Sequence, residues 1–219
     1  MKYVISGYGK MGHMVEASLQ RRGLESVPTE DVCALPEDLA AESVCIDFTT
    51  PEAFRANYKT LAARFKAVVV GTTGWNDIKE DVFAEFEKQG TTLIWASNFS
   101  IGVNAFFAAI ARVSEVLAGH GYTPQVEEIH HIHKLDAPSG TAKSIGSIIE
   151  DKLGAKPEIT SKRIGEVPGT HTAEFVSGVD KLVFTHEAFS REGFAEGAVE
   201  AALMCDNLKG VHEFKDIIL

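Results

Sequence analysis

The chain has 219 residues, 45% hydrophobic and 24% charged, enough apolar material for one large domain or two small ones with a real core. A formal net charge of −10 excludes the broad basic face that nucleic-acid binding requires, while leaving room for an anionic small ligand where positive charge is gathered locally. Three cysteines, Cys33, Cys45 and Cys205, odd in number and without C-x-x-C spacing, read as reduced thiols of a cytoplasmic protein rather than as a disulfide framework or zinc knuckle.

The first element is "KYVIS", a short β-type run broken at once by glycine, which is no signal peptide. No apolar run approaches the roughly 20 residues that span a bilayer, so no membrane partner is expected. "GYGKMG" follows as Gly7-x-Gly9-x-x-Gly12, and Met11, Met14, Val15 and Leu19 then recur with helical spacing up to Gly23. A strand, a glycine loop and a helix in that order are the context the dinucleotide fingerprint needs. Gly7 permits the tight turn, Gly9 lets the backbone approach a pyrophosphate, Gly12 lets helix and strand pack closely, and the helix start offers free N–H groups.

The second strand normally ends in an acid that holds the adenosine ribose, and "LESVPTEDV" offers Glu25, Glu30 or Asp31, with Pro28 making the strand irregular. From Gly23 through Phe54 there is no Lys or Arg, so a 2′-phosphate lacks its usual partner there unless Lys10, Arg21 or Arg22 substitutes. NADH should therefore serve at least as well as NADPH.

"SVCIDF" and "AVVVG" read as buried strands, with "PEAFRANYKTLAARF" between them as a helix that has Pro51 at its start. "WNDIKEDVFAEFEKQG" reads as a helix ending at Gly90, and "TTLIWAS" as a further strand. Strands alternating with helices mean βαβ units and a parallel sheet. "GTTGW" (71–75) and "ASNFS" (96–100) each follow a strand, and on residue type alone are ordinary strand-to-helix turns.

After residue 100 the pattern changes. "VNAFFAAIARVSEVLAGHG" is a long apolar helix, "PQVEEIHHI" a strand, "SGTAKSIGSIIEDKLG" a helix, "HTAEFVSG" and "DKLVFTHEAF" β-rich segments, and "FAEGAVEAALMCDNL" a last helix. The fold class expected is α/β. A Rossmann-like dinucleotide-binding domain takes residues 1–97 plus about 195–219, and an inserted α+β domain takes 98–194.

The stretch "HHIHKLDAPSGT" (130–141) concentrates titratable nitrogens in an acidic chain. In one extended strand, His130 and Lys134 would stand about 13 Å apart at ~3.3 Å per residue, so the chain must bend after His131 if both act together. Asp136-Ala137-Pro138 ends regular structure, Ser139 reads as a helix N-cap, and the N–H groups at Gly140 and Thr141 make a site for a carboxylate. His131 and His133 could bind zinc from one strand face, but no spacing singles out a third ligand among His171, His186 and the carboxylates, so no metal is expected.

"EIHHIHKLDAPSGTA" strongly resembles the signature of the 4-hydroxy-tetrahydrodipicolinate (dihydrodipicolinate) reductase family of lysine and diaminopimelate biosynthesis, and "GYGKMG", "DFTTPEA", "VVVGTTGW", "ASNFSIGVN" and "FSREGFAEGAV" appear in that family's order. The resemblance implies NAD(P)H-dependent reduction of a cyclic imine dicarboxylate. It makes His130 the general acid/base, Lys134 a proton donor that also binds substrate, and His131, Gly140 and Thr141 the contacts to substrate carboxylates. It places the NADH or NADPH site on Gly7, Tyr8, Gly9, Lys10, Met11, Gly12, Gly71, Thr72, Thr73, Ala96, Ser97, Asn98 and Phe99. It also implies that the inserted domain binds substrate and forms a homotetramer through its sheet. The chain departs from the family around its second strand, where it is short. Another NAD(P)-dependent dehydrogenase, a nucleotide-binding sensor and a metal-dependent hydrolase are the competing readings.

Overall fold

The computed structural model describes residues 2–218. Strand β1 (Lys2–Ser6) is buried in four of its five residues and runs through the glycine turn into α1 (Lys10–Arg21). Strand β2 (Ser26–Thr29) contains Pro28, which is tolerable because β2 is an edge of its sheet. A 3₁₀ turn (Val32–Ala34) capped by Asp31 and the short α2 (Glu37–Ala41) lead to β3 (Ser43–Asp47), buried throughout. Helix α3 (Pro51–Arg64) starts with Thr50 accepting the Ala53 N–H and with Pro51 in the first turn, where a missing N–H costs nothing. Strand β4 (Ala67–Val70) is also fully buried. The helix expected from Trp75 begins as a 3₁₀ turn (Asn76–Ile78), and α4 proper is Lys79–Gln89, closed by Gly90 before β5 (Thr92–Trp95).

Helix α5 (Ile101–Leu117) precedes β6 (Thr123–His130), α6 (Gly140–Leu153), β7 (Glu158–Arg163), β8 (Gly169–Val176) and β9 (Lys181–Ala188). The chain ends in α7 (Glu192–Met204), β10 (Val211–Glu213) and α8 (Phe214–Ile218). The chain divides into two compact units, Met1–Ile101 with Glu192–Leu219, and Gly102–Arg191.

The first unit is built on a parallel sheet of order β10-β5-β4-β3-β1-β2. Its central strands are apolar without alternation because both faces are covered. One face packs Ile5, Ile46, Val69 and Ile94 against α1, α7 and α8, and the other packs Val4, Cys45, Val68 and Leu93 against α3 and α4. Small residues let α7 come close: a Cβ at Gly197 would overlap the Phe99 carbonyl.

The second unit is a four-stranded sheet of order β7-β6-β8-β9, in which β6 and β7 run parallel and the other pairs antiparallel. Alternate residues of β6 and β8, Val126, Ala173 and Phe175, pack under Phe106 and Ile110 of α5 and Ile145 and Ile149 of α6. Strand β6 stops at His130, one residue short of the bend expected from the sequence. No helix among the described residues is long and apolar enough to cross a membrane.

Candidate active site

In the first unit, every loop that the sequence assigns to the cofactor follows the C-terminal end of a parallel strand, where an open α/β sheet binds its ligands. Gly7 has φ +85°, and a Cβ on Gly12 would collide with the Gly7 carbonyl, so both glycines are required by the turn itself. Gly9 differs: a Cβ there would meet nothing within 4 Å. Its lack of a side chain therefore leaves room beside the helix start. Gly9 is the N-cap of α1 and no side chain caps that helix, so the first-turn N–H groups of Lys10, Met11 and Gly12 face an open cradle. These residues fit the pyrophosphate of a dinucleotide.

Beneath the loops lies a buried carboxylate. Asp47, at the end of β3, accepts hydrogen bonds from Ser6 Oγ (2.7 Å), Thr49 Oγ1 (3.0 Å) and Thr72 Oγ1. Burial pushes its pKa up while the three hydroxyls oppose the rise. It ties the ends of β1, β3 and β4 together under the cradle. A Cβ on Gly71 would overlap the Phe48 ring, and Trp75 Nε1 donates to the Thr72 carbonyl (2.7 Å), so Gly71 and Thr72 also hold their own turn. Thr73 is exposed, as is Ser97. The Phe99 ring packs in the core 5.0 Å from that of Phe214, and Ala96 is buried with it, so these two offer a cofactor only backbone groups; Asn98 Oδ1 accepts the Ser100 N–H.

Of the three candidate ribose acids, Glu30 is the one bound to the glycine loop: its Oε1 accepts the Tyr8 N–H (3.0 Å). Asp31 instead caps the following 3₁₀ turn through the Cys33 N–H, and Glu25 precedes β2. Among the basic residues considered for a 2′-phosphate, Arg21 and Arg22 lie about three turns down α1 and are paired with Glu196 and Glu200. Lys10 alone stands at the helix start.

In the second unit, the three histidines separate. His130 ends β6 and is 7% exposed. His131 is half-buried, with Nε2 3.4 Å from Arg191 Nη2. His133 is exposed and turned to Glu166 (3.2 Å). His131 and His133 do not share a strand face, because the strand has already ended, although their rings lie 6.0 Å apart. The turn instead reaches Lys134, which is half-buried and paired with Asp136 at 2.7 Å. Arg163, the last residue of β7, staples this turn by donating to the carbonyls of Lys134 (3.2 Å) and Asp136.

Two residues sit below His130: Glu128, which the sequence did not single out, and His171, named from the sequence only among possible zinc ligands. Glu128 is fully buried on the same side of β6, and His171 of β8 is 5% exposed, its ring 5.1 Å from that of His130 in an edge-on arrangement. Glu128 Oε1 accepts the Ser139 N–H (3.1 Å) and a hydrogen bond from Arg163 Nη2 (3.1 Å), while Oε2 lies 3.1 Å from His130 Nδ1 and 3.9 Å from His171 Nε2. The Ser139 hydroxyl caps α6 by accepting the Ala142 N–H (3.2 Å) and lies 3.2 Å from His171 Nε2.

Charge follows from these contacts. Burial pushes the Glu128 carboxyl upward, but Ser139, Ser161 and Arg163 together outweigh it and hold the group below the usual carboxylate range. Burial lowers the pKa of His130, with Glu128 opposing and Lys134 and Arg163 reinforcing. His171 is pushed down to about 4, first by burial and then by its neighbour His130. Glu128, His130 and His171 are the one group among the described residues whose ligand-type atoms cluster within 4.8 Å, but the Arg163 guanidinium already balances the carboxylate. Gly140 and Thr141 open α6, and a Cβ at Gly140 would meet nothing within 4 Å, so the first-turn N–H groups are approachable.

Two family models match this chain: "Dihydrodipicolinate reductase, N-terminus" over residues 1–99 and "Dihydrodipicolinate reductase, C-terminus" over residues 102–218. The chain is 37% identical to a 4-hydroxy-tetrahydrodipicolinate reductase of Christiangramia forsetii across 100% of this chain and 98% of that one. Against the reductase of the same name from Ralstonia nicotianae it is 32% identical across 100% and 99%. Among solved structures, the dipicolinate-bound dihydrodipicolinate reductase of Paenisporosarcina sp. TG-14 superposes with a TM-score of 0.82 at 18% identity, covering 99% of each chain. An amine dehydrogenase of Mycobacterium smegmatis shares the fold at a TM-score of 0.67 and 10% identity, over 98% of this chain and 95% of that one. Full-length identity above 30% and family models spanning both halves place this chain in the dihydrodipicolinate reductase family.

Proposed function

We propose that the chain reduces 4-hydroxy-tetrahydrodipicolinate (dihydrodipicolinate) to tetrahydrodipicolinate with NADH or NADPH; its relatives are named as reductases of that substrate. The observation that carries this reading is local: a buried imidazole, His130, shares one sheet end with Lys134 and an approachable helix N-terminus at Gly140 and Thr141. That combination suits a small dianion that must be both held and protonated.

NADH or NADPH, bound at the Gly7–Gly12 cradle, would supply the hydride. The chain's own residues do the rest. The N–H groups opening α6 and the His131 imidazole take substrate carboxylates, with Arg191 and Lys134 adding positive charge. Lys134 must exchange its Asp136 partner for the substrate, an exchange of one carboxylate for another. His130 moves a proton at Nε2, the nitrogen on the side away from Glu128.

Glu30 supports a place for the adenosine ribose and a penalty for a 2′-phosphate beside it. NADH should serve at least as well as NADPH, and Glu30→Ala should shift the ratio of kcat/KM values toward NADPH. An unchanged ratio would remove Glu30 from the ribose site. The sheet face of the second unit opposite its core leaves Val183 exposed, and a tetramer through that face is the assembly we read; sedimentation as a monomer at micromolar concentration in ultracentrifugation would contradict it.

The decisive assay follows loss of NADH absorbance with the dipicolinate precursor, in the presence of a chelator. Wild-type protein should turn over, and His130→Gln should lose roughly 10²–10⁴ in kcat, the range for a missing general acid, with KM for NADH unchanged. Normal turnover by that variant would remove His130 from the chemistry.

A further inference from the structure

A carboxylate with no exposed surface is costly unless its oxygens are occupied, and the way Glu128 is occupied divides it into two halves. Oε1 is taken by two fixed donors: the Ser139 backbone N–H, which begins α6, and the Arg163 guanidinium, which also grips the carbonyls of the Lys134 turn. Oε2 has no hydrogen-bond partner among the described residues; nearest to it are His130 Nδ1 at 3.1 Å, itself without a partner, and His171 Nε2 at 3.9 Å, with the Ser161 hydroxyl alongside on β7. With Oε1 already served, the hydrogens within reach of Oε2 are those of the imidazole N–H groups and the Ser161 hydroxyl. The nearer ring nitrogen is Nδ1 of His130, and these two buried atoms without partners satisfy each other once a small turn of the ring aims an Nδ1–H at Oε2; Nε2 is then presented on the opposite side. Nε2 lies beside Gly169, where even a Cβ would be only 3.0 Å away; the missing side chain leaves that nitrogen uncovered.

We infer that Glu128 is a positioning residue: one buried carboxylate sets the orientation and tautomer of His130 while fixing, through the Ser139 amide and Arg163, the helix start and the Lys134 turn that receive the substrate. The inference rests on the reading of His130 as the acid–base group. It explains why an acid stands at a core-facing position of β6. Glu128 and His130 are two residues apart and so share a face of the strand, while Ser139 and Arg163 arrive from the next turn and from the parallel strand β7. Glu128 does not touch the substrate in this scheme and acts through its neighbours.

The test is Glu128→Gln, which keeps the shape. The donors of Ser139 and Arg163 hold the amide oxygen on their side, which turns the amide NH₂ toward the imidazoles. That reverses the hydrogen bond to His130 Nδ1 and moves the ring proton to Nε2. We expect kcat to fall about 10–10²-fold, less than for His130→Gln, with KM for NADH and for the substrate within about twofold. Imidazole ¹⁵N spectra should show His130 changing from the Nδ1–H to the Nε2–H tautomer, a signal that a merely structural role would not move. Glu128→Asp, which restores the charge, should recover the Nδ1–H form and part of the rate. The double variant Glu128→Gln/His130→Gln should be no slower than His130→Gln alone.

If His130→Gln turns over normally, the acid–base reading falls and takes this inference with it. If His130→Gln is slow but Glu128→Gln matches the wild type in rate and tautomer, the acid–base reading stands and the positioning role is refuted. Full additivity in the double variant would likewise refute it, because Glu128 would then act elsewhere.

Discussion

Gly169 carries no side chain at the point where β8 passes the His130 ring. A Cβ there would stand 3.0 Å from Nε2, 3.3 Å from Cδ2 and 3.8 Å from the His171 ring, closer than the first two atoms tolerate. His130 cannot retreat, because Glu128 and His171 pack its other side. Gly169→Ala should therefore turn the imidazole, and misplacing a reacting group by about an ångström costs roughly 10²-fold. Steady-state kinetics should show kcat down with KM for NADH unchanged, and an unaltered kcat would mean the ring has slack that the contacts deny. At this scale the sequence is uneven in what it discloses. Gly7 and Gly12 are legible because the turn itself needs them, Gly7 for its positive φ and Gly12 to clear the Gly7 carbonyl. Glu128 is less so: an acid in a strand ordinarily marks a solvated face, and only its spacing of two from His130 hints that both point inward. Arg163 is invisible as a partner, since nothing local says that a residue 35 positions away will reach Glu128.

Among the elements, α6 does the most with the least. Its N-terminal turn faces the site, its apolar positions Ile145 and Ile149 anchor it in the core, and Ser139 caps it through the Ala142 N–H. Ser139→Ala removes that cap and the contact with His171 but leaves the backbone N–H on Glu128. Losing such a cap costs about 1 kcal/mol, which should lower the urea midpoint modestly. The frayed first turn should raise KM for the substrate more than it lowers kcat, and the reverse pattern would argue that the α6 amides do not bind substrate. Elements with a strong local signal are readable from sequence: β3 and β4 as unbroken apolar runs, and α3 from Thr50-Pro51. Others depend on pairing that the sequence does not display. Strand β7, "EITSKR", is polar at most positions and owes its strand form to β6 alongside. Helix α2 and strand β10 are too short, at five and three residues, to show a period. The 3₁₀ turn before α4 replaces a helical start because the Trp75 ring is held by its bond to Thr72 and by Phe54, Phe83 and Trp95 around it.

For the molecule as a whole, the buried ionisable groups give the two units different responses to acid. His171 titrates near 6.5 when unfolded but about 4 when folded, so between those values the unfolded chain binds the proton more readily. Stability is then complete above pH 6.5 and declines as pH falls toward 4, by about 3 kcal/mol for 2.5 pH units at 1.36 kcal/mol each. The lowered pKa of His130 acts in the same direction. Asp47 in the other unit has the opposite sign: its folded pKa is raised above 3.8, so acidification relieves a burial cost instead of imposing one. Glu196 is held at about 2 by Arg22 and Arg21, so its contribution begins to fade only below pH 4.5. The unit Gly102–Arg191 should accordingly open first as pH falls from 6.5 to about 4. Amide hydrogen exchange, corrected for the pH dependence of the intrinsic rate, should show protection lost in β6 and β8 while β1, β3 and β4 remain protected. His171→Asn, which cannot charge, should flatten that loss. Equal loss of protection in both units, or an unchanged profile in the variant, would show that the neutral His171 is not what makes the four-stranded sheet acid-sensitive.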